Sequence, residues 1–298
     1  MRLPNFVVIG APKCGTTSLH HYLSQHPEVY VPKRKELHYF SYAHMQRFAA
    51  GPGDAHILRP LCATRQAYEK HYEKAGAQAA VGDISPSYLY YAEVSERIRA
   101  ELGRAKIVVV LRDPIDKAFS QYMHLVRDNR ETLSFYDALM AERRHERDGW
   151  AALWRYSESS LYAAKLKRYL DDFGADHVKI LLFAELSRNP LAVMCELFHF
   201  LDIDPNFHPD TSKVLNKSGL PKSRALADFL AKPNVVTAVA KKLVPESVSA
   251  AIRSALVDLN TGAKRQIDEE SRAYLRDFFA ADVGEVERLL GKKLNWLQ

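Results

Sequence analysis

Short apolar runs alternate along the chain with longer amphipathic stretches. The runs are rich in Val and Ile and have the length of buried strands, whereas the stretches between them are long enough for helices. Strands that alternate with helices favour a parallel sheet with helices on both faces. We therefore predict an α/β fold of three layers. The predicted strands are Phe6–Ile9, a brief one near Val29–Val31, Ala80–Asp83, Ile107–Leu111 and Val178–Phe183.

Apolar residues at helical spacing mark the elements between these strands. Asp113 followed by Pro114 predicts the start of a helix, because Asp caps free N–H groups and proline fits the first helical position. An apolar stripe then continues from Ile115 to Met123. Similar stripes over residues 162–173 and 191–201 predict two further helices.

The end of the chain departs from this alternation. Asp202–Pro221 predicts a long irregular connection, and such loops in a compact domain are usually functional or disordered. Ser223–Gln298 is predicted to be mainly helical, with a last helix at Ser271–Leu290. We treat residues 1–298 as a single domain with this helical part as its extension, because a chain of this length can bury one large core.

Composition narrows the class of protein. The content of 47% hydrophobic and 26% charged residues is typical of a globular protein. Its net charge of +6 fits an anionic ligand such as a nucleotide, and equally a generally basic surface. Cys14, Cys62 and Cys195 are too few and too widely spaced for a disulfide or zinc framework. Without a membrane-spanning run or a signal peptide, we expect a cytoplasmic protein that binds no nucleic acid.

The loop after the first strand is a variant of the nucleotide-binding P-loop. Gly10 and Gly15 have the expected spacing, but Thr16 stands where the lysine of that motif belongs, and Lys13 lies inside the loop. A strand, a glycine loop and a helix in this order aim backbone N–H groups and the positive end of a helix dipole at an anion. The sequence therefore predicts a phosphate site in a P-loop-like fold, without the usual lysine for a β/γ-phosphate.

A second phosphate site is predicted at the end of the most apolar strand. Arg112 follows Ile107–Leu111, and ligands of open α/β sheets gather at the carboxyl ends of strands. A guanidinium there can bind a phosphate with two hydrogen bonds, and Ser120 in the following helix can add a hydroxyl. Alternatively, Arg112 pairs with a neighbouring carboxylate.

Two segments together resemble the nucleotide-binding signatures of sulfotransferases that use 3′-phosphoadenosine-5′-phosphosulfate (PAPS). They are Pro-Lys-Cys-Gly-Thr-Thr-Ser at 12–18 and the segment beginning Leu-Arg-Asp-Pro at 111–122. The chain is most similar to the branch that contains heparan sulfate sulfotransferases and soluble bacterial relatives. The resemblance implies a PAPS-dependent sulfotransferase. It continues, in the family's order, through residues 26–29, 35–40, 85–88, 183–190 and 215–219 to a C-terminal helix ending near Trp296.

The resemblance also implies the donor site. Lys13 would neutralise the bridging oxygen as the S–O bond breaks, while Arg112 and Ser120 would hold the 3′-phosphate. No metal would be required, because the donor has no triphosphate. Lys217 and Arg224 lie in a basic stretch that we interpret as a lid over the nucleotide, or else as a solvated loop. The residues that would hold the 5′-phosphosulfate are Lys13, Cys14, Gly15, Thr16, Thr17 and Ser18.

The acceptor side is inferred from Lys35-Glu36-Leu37-His38. The resemblance implies that Glu36 is the general base for the acceptor hydroxyl, with His38 as a rival base or an orienting group. In an extended segment both side chains would share one face. Lys35 and His38 are also candidates for acceptor binding. Burial would raise the pKa of Glu36 and the neighbouring cations would lower it, and the sequence leaves the balance open.

One position departs from the family pattern. Heparan sulfate enzymes often carry Glu-Lys-x-Pro where this chain has Asp83-Ile84-Ser85-Pro86. The missing lysine argues against a polyanionic, heparan-like acceptor. Asp83 becomes a candidate ligand of the acceptor hydroxyl, or else a capping residue, and Tyr88 a candidate wall of the acceptor site. His124, one helical turn after Ser120, is interpreted as structural.

Three functions stay open at this point. The first is a sulfotransferase that moves the sulfuryl group of PAPS to a hydroxyl of a carbohydrate, glycolipid or small metabolite, releasing 3′-phosphoadenosine-5′-phosphate (PAP). The second is an ATP-dependent kinase, against which the missing P-loop lysine argues. The third is a nucleotide-binding protein without catalysis, against which the joint presence of Lys13, Glu36, Arg112 and Ser120 argues. The predicted partners are PAPS and a hydroxyl-bearing acceptor, and the oligomeric state is not derivable.

Overall fold

Five strands pair into one parallel sheet in the computed structural model, which describes residues 2–212 and 265–298. The strands are β1 (Phe6–Gly10), β2 (Val29–Tyr30), β3 (Ala80–Ile84), β4 (Lys106–Leu111) and β5 (Val178–Leu182). They lie in the order β2-β3-β1-β4-β5. All five predicted strands are confirmed, as is the P-loop-like α/β fold. β1 and β3 are buried along their whole length, as strands covered on both faces must be.

Helices cover this sheet and extend beyond it. Among the described residues they are α1 (Thr16–Leu23), α2 (Tyr42–Arg47), α3 (Asp54–Leu58), α4 (Arg65–Lys70), α5 (Val94–Leu102), α6 (Pro114–Arg127), α7 (Phe135–Arg143), α8 (Ala163–Phe173), α9 (Phe183–Arg188), α10 (Pro190–Phe200) and α11 (Glu269–Leu290). None of these helices combines the length and apolarity needed to cross a bilayer.

The strand order places the predicted site at a topological switch point. From β1 the chain crosses to β2 at one edge of the sheet, returns to β3 beside β1, and then continues to β4 and β5 on the other side of β1. Open α/β sheets form a crevice where the order reverses, outside the carboxyl ends of the strands. β1 and β4 are direct neighbours, with Val8 opposite Val108. The glycine loop after β1 and Arg112 after β4 therefore lie side by side.

Two groups of buried side chains hold the elements in place. The larger lies on both faces of the sheet and includes the apolar residues of all five strands. The smaller joins α6, α7 and the C-terminal helix α11 through residues such as Leu125, Leu139 and Phe279. The C-terminal helix is thus part of the packing around α6 and not an isolated appendage.

The predicted helix boundaries agree closely with the structure. Asp113 caps α6, because its Oδ1 accepts hydrogen bonds from the N–H groups of Ile115 (2.8 Å) and Asp116 (3.4 Å). The predicted last helix corresponds to α11. Residues 202–212 are irregular, as expected, and the rest of the predicted connection lies outside the described residues.

Candidate active site

The glycine loop ends in an open helix N-terminus. Thr16, Thr17 and Ser18 form the first turn of α1, where backbone N–H groups have no acceptor within the helix. Gly15 occupies the N-cap position and supplies no capping side chain. These N–H groups and the helix dipole therefore face the cavity described below and favour an anion there.

Two residues of the loop adopt left-handed backbone angles. Gly15 has φ of 87° and Lys13 has φ of 67°. A Cβ atom at Gly15 would lie 3.0 Å from Cδ2 of Phe183, so both the backbone angle and the space require glycine. Lys13 lines the cavity and has no ion-pair partner within 4 Å among the described residues. Burial and the charge of Arg127 lower the pKa of Lys13 to about 8.

Arg112 lies beside this loop with one nitrogen unused. Its Nη1 donates to the carbonyl of Lys13 (3.4 Å) and its Nη2 to Oδ2 of Asp116 (3.1 Å). The guanidinium carbon lies 4.9 Å above the ring of Phe183. Nε is buried and has no hydrogen-bond partner within residues 2–212 and 265–298. Arg112 thus pairs with a neighbouring carboxylate, Asp116, as the alternative prediction held. The unpaired Nε remains suited to an anionic ligand.

Two residues of α6 extend this surface into the cavity. The hydroxyl of Ser120 faces the cavity and makes no hydrogen bond to the described part of the chain. His124 lies one turn further on and also lines the cavity, a position that the sequence interpretation of His124 as structural did not include. Burial and the charge of Lys13 lower the pKa of His124 to about 4. Because Nδ1 accepts from Arg127 (2.6 Å), the neutral ring carries its proton on Nε2.

The segment from Glu36 to His38 is a strained turn, so the alternation considered for an extended segment does not apply. Glu36 has φ of 63° and His38 has φ of 53°. Non-glycine residues in this region persist where the surroundings fix them, and they are common at functional sites. Here the N–H of Glu36 donates to Ile84 O (2.9 Å) and the N–H of His38 to Ser85 Oγ (3.1 Å). The end of β3 therefore fixes this turn.

The structure decides the balance of charges at Glu36. Burial acts to raise the pKa of Glu36, but His38 and Lys35 outweigh it and lower the pKa to about 2. Lys35 pairs with Oε1, while Nε2 of His38 lies 3.8 Å from Oε2. Glu36 is therefore ionised at neutral pH. Lys35, Glu36 and His38 all line the cavity.

His38 is oriented by two serine hydroxyls. Its Nδ1 lies 2.6 Å from Oγ of Ser87, which lies 2.7 Å from Oγ of Ser41. The other ring nitrogen, Nε2, is the one directed at Glu36. This arrangement orients the imidazole toward the carboxylate, as a group that positions a base would require.

Asp83 and Tyr88 do not reach the cavity, contrary to their predicted roles as acceptor ligands. Both side chains are buried, and the Tyr88 hydroxyl donates to Oδ2 of Asp83 (2.8 Å). Oδ2 also accepts from Tyr68 (3.0 Å) and Oδ1 from Ser85 (2.7 Å). A buried carboxylate is stable only with such partners. Burial nevertheless raises the pKa of Asp83. Oγ of Ser85 donates to Asp83 and accepts from the N–H of His38, so Asp83 stabilises the turn indirectly.

The Cys14 side chain does not line the cavity, and two further predicted residues are not described by the structure. The Cys14 side chain is fully buried, with Sγ 3.9 Å from the hydroxyl of Tyr162, so it does not contact a ligand in the cavity. Burial raises the pKa of the Cys14 thiol to about 11. Lys217 and Arg224, the proposed lid, lie outside the described residues.

The remaining predicted residues meet in one cavity of about 980 Å³. This volume is at the upper end of ordinary small-molecule sites, and it accommodates a nucleotide together with a second molecule. One side holds the glycine loop, Arg112 and Ser120, and the strained turn carries Glu36 toward the same space. One cavity thus brings together groups suited to bind an anion and an ionised carboxylate.

Comparison with known proteins identifies the family. A model described as "Sulfotransferase family" matches residues 4–209, which is more than half of the chain. The crystal structure of a sulfotransferase from Alicyclobacillus acidocaldarius has a TM-score of 0.78 and 35% identity, covering 99% of this chain and 98% of that one. The chain belongs to the sulfotransferase family.

More distant relatives agree with this assignment. The human bifunctional heparan sulfate N-deacetylase/N-sulfotransferase 3 is 28% identical over 216 residues, which are 70% of this chain and 23% of that protein. The chain spans less than a quarter of the length of the first curated relatives it matches. A mouse sulfotransferase crystallised with PAP is 12% identical and has a TM-score of 0.53, covering 98% of this chain and 89% of that one, and it shares the fold.

Proposed function

We propose that this protein transfers the sulfuryl group of PAPS to an acceptor hydroxyl. In this reaction the acceptor oxygen bonds to sulfur, the bond from sulfur to the 5′-phosphate oxygen breaks, and PAP leaves with that electron pair. The hydroxyl proton passes to a base. As in phosphoryl transfer, the protein contributes mainly position and electrostatic stabilisation.

Two groups of anion-binding residues, at the ends of β1 and β4, are the observation that supports the donor assignment. The free N–H groups of Thr16–Ser18 suit the 5′-phosphosulfate. The orphaned Nε of Arg112 and the free hydroxyl of Ser120 suit the 3′-phosphate. Lys13, partly buried and without an ion-pair partner in the described part of the chain, suits the negative charge that develops on the leaving oxygen.

Glu36 is the base in this proposal. Its carboxylate is ionised and 42% exposed, so it is free to accept a proton. A carboxylate with a pKa of about 2 is a weak base, however, as long as Lys35 pairs with it. We propose that the incoming hydroxyl displaces Lys35, which raises the basicity of Glu36, while His38 keeps the carboxylate in place. His124, protonated on Nε2, acts as a hydrogen-bond donor and not as a base.

Binding calorimetry tests the donor. PAP and ATP are each titrated with and without Mg²⁺. Tight binding of PAP without metal, and weak binding of ATP, is the expected result. Preference for Mg·ATP would overturn the proposal and favour the kinase alternative.

A variant of Glu36 separates an enzyme from a silent binding protein. Replacing Glu36 by Gln keeps the shape of the side chain and removes the base, and loss of a general base costs about 10²–10⁴-fold in rate. PAP affinity should change less than about twofold, because the carboxylate faces the acceptor and not the nucleotide. Unchanged turnover in Glu36→Gln would rule out Glu36 as the base.

A further inference from the structure

The lining of the cavity contains two kinds of side chain. One group is charged or polar and includes the residues assigned above to the donor and the base. The other group is apolar, comes from α2, α3 and the residues that join them, and is only partly buried. We call this second group the apolar wall. Its residues are Met45, Phe48, Ala49, Ile57 and Leu58.

The apolar wall is fixed to the body of the protein by one buried carboxylate. Asp54, the first residue of α3, is 2% exposed. Its oxygens accept from Nε1 of Trp154 (3.0 Å) and from the N–H of Ala151 (3.0 Å), and it pairs with Arg130. A carboxylate with this many partners holds α3 in one position. The wall is therefore built into the site and does not depend on a ligand for its shape.

The apolar wall lies away from the predicted 3′-phosphate site. α6 contains 14 residues and so spans about 20 Å. Arg112 precedes its first residue, whereas Arg130, three residues after its end, donates from Nε to the carbonyl of Pro52 (2.7 Å) between α2 and α3. At the other end, Oγ of Ser41 lies 3.5 Å from Sδ of Met45 and 3.3 Å from the carbonyl oxygen of His38. The wall therefore adjoins the turn that carries Glu36 and His38.

We propose that the acceptor is a molecule with an apolar body, alkyl or aryl, whose hydroxyl meets Glu36 while the body lies on the apolar wall. This inference rests on the proposed sulfuryl transfer and narrows it to one substrate class. The transfer of apolar surface from water to an apolar wall is favourable in free energy. A sugar chain on the same wall would bury hydroxyls without hydrogen-bond partners, which is unfavourable. A glycan is therefore the poorer fit for this cavity.

A homologous series of primary alcohols, from butanol to dodecanol, tests the proposal with PAPS as donor. Each added methylene that reaches the wall should raise kcat/KM by about three- to fourfold. Ile57→Asp should lower kcat/KM for the long alcohols at least about tenfold and leave butanol nearly unaffected. Phe48→Ala is a second, milder variant. The matched control is Leu191→Asp, which changes an exposed leucine that does not line the cavity.

The outcomes separate this inference from the proposed function. PAP affinity and thermal stability are measured for every variant. Three results would overturn the apolar acceptor. They are a kcat/KM that does not change with alcohol length, no turnover of any alcohol by a protein that binds PAP, and a higher kcat/KM for a desulfated heparan oligosaccharide. If Ile57→Asp or Phe48→Ala lowers thermal stability without changing acceptor preference, the protein's own chain covers the wall. That result would also overturn the apolar acceptor. Failure to bind PAP would instead overturn the proposed function, and this inference with it.

Discussion

At the scale of single residues, Lys13 is the group whose titration should be visible in the kinetics. Its pKa is lowered to about 8 by burial and by Arg127. The charged form is the one that stabilises the leaving oxygen, and kcat/KM reports the pKa values of the free enzyme. We therefore expect kcat/KM to fall as the pH rises through about 8. In Lys13→Arg the side chain stays charged, so this fall should disappear even if the rate is lower. Persistence of the fall in Lys13→Arg would assign it to another group.

Arg112 gives a second prediction at this scale. Arg112→Ala should weaken PAP binding about tenfold or more, because hydrogen bonds to charged groups contribute about 1.5–3 kcal/mol each. Binding of adenosine 5′-phosphosulfate, which lacks the 3′-phosphate, should change much less. Calorimetry with both nucleotides measures the difference. Equal losses would argue against a 3′-phosphate role for Arg112.

For Asp83, the sequence predicted the position in the chain correctly but not the burial of the side chain. Its place at a strand end correctly indicated that it lies near the site, but an acceptor role also requires exposure. Exposure depends on Tyr68 and Tyr88, which close over the carboxylate from other parts of the chain. The same holds for Glu36, whose pKa depends on how close Lys35 and His38 approach in the folded turn. Sequence distance does not set such contacts.

At the scale of elements, the signals that predicted the fold were local. Val- and Ile-rich runs gave the strands, and Asp113-Pro114 gave the start of α6, because a strand core and a helix cap each depend on a few adjacent residues. The short helices α2 and α3 were not predicted. They contain six and five residues and depend on tertiary contacts such as those of Asp54. Helices this short are marginal without tertiary packing.

α6 also buries a lysine, and this should make stability depend on pH. The Lys117 side chain is fully buried, and burial together with Lys165 lowers its pKa to about 7. The unfolded chain, with the ordinary higher pKa, binds more protons between these values, so this group makes the protein more stable as the pH rises above about 7. Lys117→Met should therefore stabilise the fold most below pH 7, and the gain should shrink toward pH 10.

Thermal denaturation of Lys117→Met across this pH range tests the prediction. Lys74→Met is the matched control, since Lys74 is exposed, and it should leave stability nearly unchanged. An equal gain for Lys117→Met at all pH values would show that packing, and not the charge, accounts for the effect.

At the scale of the whole molecule, the C-terminal helix is tied to the site. The carboxylate of Asp282 on α11 accepts from the N–H groups of Tyr162 (2.7 Å) and Ala163 (3.0 Å) at the start of α8. Tyr162 in turn donates to the carbonyl of Arg112 (3.0 Å). The N–H of Leu297 donates to the capping carboxylate of Asp113 (2.9 Å). The end of the chain therefore supports the predicted phosphate site at Arg112.

Asp282→Ala tests this connection. Loss of a helix cap costs about 1 kcal/mol, so the thermal midpoint should fall by about 2–4 °C. Because the carboxylate supports Tyr162 and so Arg112, PAP affinity should fall too. Asp277→Ala, on an exposed part of the same helix, is the control and should change neither. A loss of stability with unchanged PAP affinity would limit Asp282 to a structural role.

The sequence alone determined the parallel sheet, the modified glycine loop, the arginine after β4 and the family, because each is encoded by residues adjacent in the chain or by short segments in a fixed order. The tertiary structure alone decided which of the two predicted acceptor-side carboxylates, Glu36 or Asp83, faces the cavity. Glu36 does so because residues 84 and 85 hold its turn from nearly 50 positions away, while Asp83 is enclosed by tyrosines. It also produced the apolar wall, because long-range contacts such as those of Asp54 hold α3 beside the cavity.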